Sequence, residues 1–87
     1  MPKYKLLYKK SAVKSIQKLP PEIRKRLKIK LEWFVGQNEP LYFAEPLSKP
    51  ADAQYRFRLG HYRILFDVEV SNLVILYVQH RREVYRK

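Results

Sequence analysis

The sequence predicts an α+β fold in which an N-terminal strand and a helical hairpin precede a three-stranded antiparallel meander. Apolar residues recur at helical spacing between residues 11 and 36, and the pattern changes to alternation from residue 55 onward. Turn signals that contain glycine, serine or asparagine separate the alternating runs. Because 87 residues suffice for one hydrophobic core, residues 1–87 are predicted to form a single domain.

The first strand is predicted over residues 4–8, where alternate side chains are apolar and share one face. Ser11 is the expected N-cap of a first helix that extends to about residue 18. The apolar stripe of this helix consists of Ala12, Val13, Ile16 and Leu19.

A second helix is predicted to follow the Pro20-Pro21 pair, which ends the first. Pro21 suits the first helical turn, and Gly36 is a natural C-terminal stop. The apolar positions of the second helix are Ile23, Leu27, Leu31 and Phe34. Residues 11–36 therefore read as a helical hairpin with one apolar seam.

Residues 37–54 contain three prolines and are predicted to form a loop whose apolar side chains, Leu41, Phe43 and Leu47, fold back onto the core. Three strands follow, separated by turns at Gly60-His61 and Ser71-Asn72. The last strand covers residues 73–78 and is apolar on both faces, as expected of a central strand. Residues 80–86 are expected to form a final helical turn or an irregular tail.

The two helices are expected to cover one face of the sheet, because only the sheet offers them an apolar surface. The opposite face would then carry arginines and tyrosines. Strand alternation places Arg56 and Arg58 together on one side. The side taken by Arg63 depends on the register of the turn, which the sequence leaves open.

The net charge of +11 is the dominant compositional feature, with 19 lysines and arginines against 8 acidic residues. Residues 1–30 contain eleven basic side chains, mostly lysine, and one acid, Glu22. Lysine suits diffuse attraction to a polyanion, whereas arginine suits fixed bidentate phosphate contacts. The pattern favours nucleic acid, the ribosome or an acidic protein as partner over a merely solvated basic face.

The absence of cysteine excludes disulfides, thiolate zinc sites and a cysteine nucleophile. No apolar run approaches the roughly 20 residues of a membrane span, and the N-terminal stretch resembles no signal peptide. A cytoplasmic location is therefore expected. His61 and His80 lack a convincing set of carboxylates for a metal site, and no cofactor is predicted.

Four segments in fixed order carry a family resemblance. They are SIQKLPPEIRKRL at 15–27, EPLSKP at 45–50, YRFRLGHYRILF at 55–66 and HRREVYR at 80–86. Together they resemble the RelE/ParE toxin superfamily over nearly the whole chain. The resemblance implies a RelE-like fold and the toxin half of a type II toxin–antitoxin pair. It also implies a cognate acidic antitoxin, whose complex would set the oligomeric state.

The resemblance leaves three functions open. RelE-type members cut messenger RNA on the ribosome without a metal, by attack of the substrate 2′-hydroxyl on the adjacent phosphate. ParE-type members share the fold but inhibit DNA gyrase and are not nucleases. The third possibility is an inactive family member. The first is the preferred interpretation, with ribosome and messenger RNA as partners.

For the nuclease, the resemblance assigns phosphate stabilisation to Arg63 and Arg81, and proton transfer or stacking to His80 and Tyr85. Arginine cannot exchange protons near neutral pH, so it is expected to hold charge only. The side chains expected to hold the RNA backbone are Arg56, Arg58, Arg82, Lys25 and Lys28.

Plainer roles stand beside these assignments. Arg63 would simply pair with Asp67 or Glu83, and His80 would cap a strand end. Tyr85 would pack against the sheet edge. His61 is more consistent with a turn residue than with a catalytic one.

Overall fold

A mixed five-stranded sheet with two helices on one face forms the body of the protein in a computed structural model that describes residues 4–48 and 52–80. The elements are β1 (Lys5–Tyr8), α1 (Lys10–Gln17), α2 (Pro21–Val35), a 3-10 turn (Pro40–Phe43), β2 (Glu45–Pro46), β3 (Tyr55–Leu59), β4 (Tyr62–Glu69) and β5 (Asn72–His80). Neither helix in the described ranges is long and apolar enough to cross a membrane.

The strand order is β1-β5-β4-β3-β2, with β1 parallel to β5 and every other pair antiparallel. The predicted meander, β3 to β5, is therefore confirmed. Strand β2 lies in the segment that the sequence predicted to be loop. Two residues, one of them Pro46, are too few to show a periodic pattern, so this strand leaves no signal in the sequence.

The first helix begins at Lys10 and its N-cap is Lys9, two residues before the predicted cap, so Ser11 is not its N-cap. The Ser11 hydroxyl instead donates to the carbonyl of Leu76 in β5, and the Ser15 hydroxyl accepts from the N–H of Val78 at 3.0 Å. These backbone groups of β5 lie beyond the end of β1 and would otherwise lack a strand partner. Two serine hydroxyls on one helix thus provide hydrogen-bond partners for backbone groups of β5 that β1 does not reach.

The apolar stripe of α1 is narrower than predicted. Ala12 is fully buried, and Ile16 and Leu19 pack against the core. Val13 is 44% exposed, so its assignment to the stripe was wrong.

The second helix has the predicted boundaries, with Pro21 at its first position and Gly36 immediately after its last. Its buried residues Leu27, Leu31 and Phe34 face the sheet. The Phe34 ring stacks on Phe57 of β3 with centroids 3.9 Å apart. An aromatic stack therefore joins helix and sheet at the centre of the core.

The loop after α2 folds back as predicted, since Leu41 packs against the core and Leu47 is half-buried. Phe43 remains 42% exposed, yet its ring contacts the edge of Trp33 at 5.0 Å between centroids. The loop is thus tied to the C-terminal end of α2 by aromatic contact.

Both turns of the meander contain a residue with a left-handed backbone, which is favourable for the glycine of the first turn and unfavourable for the valine of the second. Gly60-His61 is a two-residue turn as predicted, and Gly60 has a φ of 59°. The next turn is Val70-Ser71 rather than Ser71-Asn72, because Asn72 pairs with Glu69. Val70 has a φ of 55°, a left-handed conformation that costs a β-branched residue free energy.

We expect Val70→Asn to raise the free energy of unfolding by about 0.5–1 kcal/mol, because asparagine tolerates the left-handed region better than valine. The Val70 side chain is 95% exposed, so little packing is lost. Chemical denaturation measures the change, with Val13→Asn on exposed α1 as control. An unchanged or lowered stability of Val70→Asn would show that the turn carries no strain.

Candidate nucleic-acid interface

The register of β3 and β4 decides where Arg63 points. Arg58 lies directly opposite Arg63, and directly opposed side chains share a face of the sheet. Arg56 lies two residues from Arg58 on β3, so its side chain points to the same face. We call the face that carries these three residues the arginine face. The helices pack on the other side, the phenylalanine face, which is formed by Phe57, Ile64, Phe66 and Ile75.

A bulge between β4 and β5 brings Tyr77 to the arginine face. Leu65 pairs with Tyr77 whereas Phe66 pairs with Ile75, so Leu76 has no opposite residue. Residues 52–54 cross part of this face, where Asp52 and Gln54 form hydrogen bonds with strand residues. Residues 52–54 therefore cover part of the arginine face.

Arg63 is the buried member of the face, with 6% of its surface exposed. Within residues 4–48 and 52–80, its Nε has no hydrogen-bond partner, and its Nη1 donates to the Tyr62 carbonyl at 3.5 Å. No hydrogen bond or ion pair joins Arg63 to Asp67, whose carboxylate accepts from the N–H of Gln54 at 2.9 Å. A buried guanidinium without a full set of acceptors is costly. Such a group is suited to receive an anionic ligand.

Glu45 of β2 binds the other two arginines. Its Oε1 accepts from Arg56 Nε at 2.6 Å and from Arg58 Nε at 3.3 Å. The hydrogen bond from Arg56 is the main cause that lowers the pKa of the Glu45 carboxyl. Nothing in the sequence singled out Glu45, because its contact with the arginines depends on pairing between β2 and β3.

Tyr77 is held as a hydrogen-bond donor. Its hydroxyl donates to Asp52 Oδ2 at 3.0 Å. Burial, followed by the bond to the Asp52 carboxylate, raises the pKa of Tyr77 to about 12. At neutral pH this phenol stays protonated, so it is poorly suited to accept a proton from a substrate.

The structure does not bring His80 to the arginine face. His80 pairs with Tyr62, which itself pairs with Leu59, and these positions alternate onto the phenylalanine face. The His80 ring meets the edge of Tyr62 with centroids 5.1 Å apart, and the ring of His61 lies at 6.2 Å. His61 itself is exposed in the turn.

Two further predicted site residues, Lys25 and Lys28, also lie apart from the arginine face. Both are exposed on α2, which packs on the phenylalanine face. Arg81, Arg82 and Tyr85 lie outside the described residues, as does Glu83, the second predicted partner of Arg63. Within residues 4–48 and 52–80, no three histidine or acidic side chains are grouped as a metal ion requires.

Comparison with known proteins defines the class of this chain. The family described as "ParE toxin of type II toxin-antitoxin system, parDE" matches residues 6–85. The chain belongs to this RelE/ParE family of type II toxins.

Curated relatives carry RelE-type names. Toxin RelG of Mycobacterium tuberculosis is 34% identical over 97% of this chain and 98% of its own length. Toxin RelE3 of Methanocaldococcus jannaschii is 32% identical over 93% of this chain and 94% of its own length. A chain in the toxin–antitoxin complex RelBE2 of Mycobacterium tuberculosis superposes with a TM-score of 0.77 and 29% identity, covering 93% of this chain and 100% of that one. The predicted RelE-like fold is thus confirmed.

We expect Arg63→Met to raise the free energy of unfolding by about 1–3 kcal/mol, because methionine fills similar space without burying an unsatisfied donor. Equilibrium denaturation compares it with Arg26→Met, an exposed change on α2 that should stay within about 0.5 kcal/mol of the parent. A loss of stability in Arg63→Met would show that Arg63 has a structural role.

The pKa of Tyr77 predicts a simple titration result. The chain has seven tyrosines, yet Tyr77→Phe should remove almost no phenolate absorbance between pH 9 and 11, because Tyr77 is still protonated there. The raised pKa also means that its contribution to stability is complete below about pH 10 and declines as the pH approaches 12. Loss of one seventh of the signal by pH 11 would contradict the assignment.

Proposed function

We propose that this toxin is a ribosome-dependent endoribonuclease that cleaves messenger RNA by attack of a 2′-hydroxyl on the adjacent phosphate. The observation that carries the proposal is the arginine face, where buried Arg63, whose Nε has no hydrogen-bond partner among the described residues, lies opposite Arg58. The RelE-type names of the curated relatives support it.

The proposed reaction needs charge stabilisation above all. A bond forms between the 2′-oxygen and phosphorus, and the bond to the 5′-oxygen breaks, leaving a cyclic phosphate and a 5′-hydroxyl. The nucleophile belongs to the substrate, so no metal-bound water is required. Arg63 and Arg81 would stabilise the pentavalent phosphorane, and Arg56 and Arg58 would hold the flanking backbone.

Proton transfer is assigned to Tyr85. The 2′-hydroxyl must lose a proton and the leaving 5′-oxygen must gain one. The arginines remain protonated, Tyr77 is tied to Asp52, and His80 lies on the phenylalanine face. We therefore assign His80 no direct contact with the scissile phosphate, and give Tyr85 the role that the sequence had divided between the two.

The lysine-rich helices would serve association rather than chemistry. Lys25 and Lys28 are exposed on α2, on the opposite side of the sheet from the arginines. A basic surface of this kind attracts ribosomal RNA at long range and raises the association rate. Arg82 would extend the phosphate contacts at the C-terminal end.

The proposed protein partner is an acidic antitoxin. The similar structure from Mycobacterium tuberculosis is a toxin–antitoxin complex. In this chain a groove of about 550 Å³ lies between β1 and the helices, with apolar Leu6, Leu27 and Leu31 in its lining and Arg24 and Lys28 beside them. Such a groove suits an amphipathic acidic segment that folds on binding.

Inducible expression followed by primer extension on a known transcript tests the nuclease. We expect cuts in phase with codons that disappear when translation is blocked. On programmed ribosomes, Arg63→Met should lower the cleavage rate by at least about 100-fold while the protein stays folded, because a transition-state charge contact is lost. Arg26→Met removes the same charge from exposed α2 and should cut like the parent.

A different result would direct attention to the alternatives. The family description names ParE toxins, so growth arrest with intact messenger RNA would favour gyrase inhibition. That activity would appear as loss of DNA supercoiling by purified gyrase. Absence of any growth effect would indicate an inactive family member. Undiminished cleavage by Arg63→Met would remove the arginine face from the mechanism.

A further inference from the structure

The arginine face contains a carboxylate that the proposed chemistry does not use. Glu45 approaches Arg56 and Arg58 with a single oxygen, Oε1, and meets both through their Nε atoms. No hydrogen bond joins the terminal guanidinium nitrogens of Arg56 or Arg58 to another described residue. One carboxylate thus binds two arginines through their Nε atoms, and no other described residue forms a hydrogen bond with their terminal nitrogens.

We propose that Glu45 is a positioning residue that holds Arg56 and Arg58 by their Nε atoms so that their terminal NH₂ groups are presented to the RNA phosphates. The inference rests on the proposed nuclease function. Guanidinium is a planar fork, so a bond at Nε limits rotation of the whole group. The paired terminal nitrogens then form the edge that binds phosphate oxygens in a bidentate manner.

Electrostatics explains why such a holder is useful. Three cationic side chains share a small area, since Arg58 lies opposite Arg63 and Arg56 lies two residues away. Without a neighbouring anion they repel one another and move apart into solvent. Arg58 is the more exposed of the two that Glu45 binds, with 56% of its side chain exposed, whereas the Arg56 side chain is 25% exposed. A shared carboxylate restrains both.

The backbone fixes Glu45 in place. Glu45 is paired with Arg56 across β2 and β3, so their side chains share a face. The N–H of Leu47 donates to the carbonyl of Gln54 at 2.9 Å, which holds the far end of the short strand. This pairing provides the carboxylate from a rigid position rather than from a free loop.

A competing role makes the opposite prediction. If Glu45 merely occupies the phosphate site, removing its charge should strengthen RNA binding and leave kcat equal or higher. If Glu45 positions the arginines, Glu45→Gln should lower kcat although the site becomes more positive. KM should then stay equal or fall, because long-range attraction to RNA increases. The split between kcat and KM separates the two roles.

Cleavage of messenger RNA on programmed ribosomes is measured for the parent, Glu45→Gln, Glu45→Asp and Glu22→Gln. We expect Glu45→Gln to lose about 10–100-fold in kcat, the range caused by small misplacement of a catalytic contact. Glu45→Asp keeps the charge but is one methylene short, so kcat should fall at unchanged KM. Glu22→Gln removes the same charge from exposed α2 and should retain the parent kcat. Parent-like or higher kcat in Glu45→Gln overturns the proposal.

A second measurement does not depend on activity. In nitrogen-edited NMR spectra, the Arg56 Nε–H signal of the parent should exchange slowly with water, and this protection should be lost in Glu45→Gln. Added inorganic phosphate should shift the Arg56 and Arg58 signals of the parent more than those of Glu45→Gln. An unprotected parent signal overturns the positioning role. A parent that shows protection and phosphate shifts but cuts no RNA removes the nuclease and supports the arrangement of the arginines.

Discussion

The two-residue turn at Gly60-His61 is the constraint on which the site depends. It fixes the register in which Arg58 meets Arg63, and Gly60 allows the tight reversal through its left-handed φ of 59°. A slip of one residue would move Arg63 to the phenylalanine face and Ile64 to the other. Burial of Ile64 therefore specifies the position of the arginine beside it.

The protein separates stability and charge onto two sides of one sheet. On the phenylalanine face, Phe57 stacks on Phe34 of α2, with ring centroids 3.9 Å apart, and on Phe66, with centroids 4.4 Å apart. This burial provides the hydrophobic free energy that a chain of 87 residues needs. The opposite face tolerates Arg63, which lacks a full set of hydrogen-bond partners among the described residues, because the core stabilises the strand that carries it. Tolerance of such a group is a common property of sites evolved for binding.

Much of the fold was predictable because it follows the spacing of apolar residues and the positions of proline and glycine. The proline pair at 20–21, Gly36 and the alternation after residue 55 mark element boundaries that the structure confirms. The sequence also placed Arg56 and Arg58 together. It failed at Ser11, where a typical N-cap residue instead binds a distant strand, since a contact 65 residues away has no local signal.

The candidate site was less predictable because it depends on pairing. Arg63 could be placed only once the turn register was known, and Glu45 only once β2 was known to pair with β3. The role of His80 was predicted from the family resemblance, yet strand alternation directs its side chain to the opposite face from Arg63. Side chains adjacent along a strand, such as Gln79 and His80, point to opposite faces, whereas side chains paired across strands, such as Arg58 and Arg63, share one.

The two serines of α1 also limit how another protein can add to the sheet. Ser11 and Ser15 occupy backbone groups of β5 where an incoming strand would otherwise dock. At the opposite margin, β2 has two residues, and Pro46 has no N–H to donate. Within the described residues, β-augmentation is thus limited to two short edges: the four-residue outer edge of β1, and residues 57–59 of β3, with which β2 does not pair. A partner that needs a longer contact must engage this protein through side chains, by laying a helix or an extended segment across its faces.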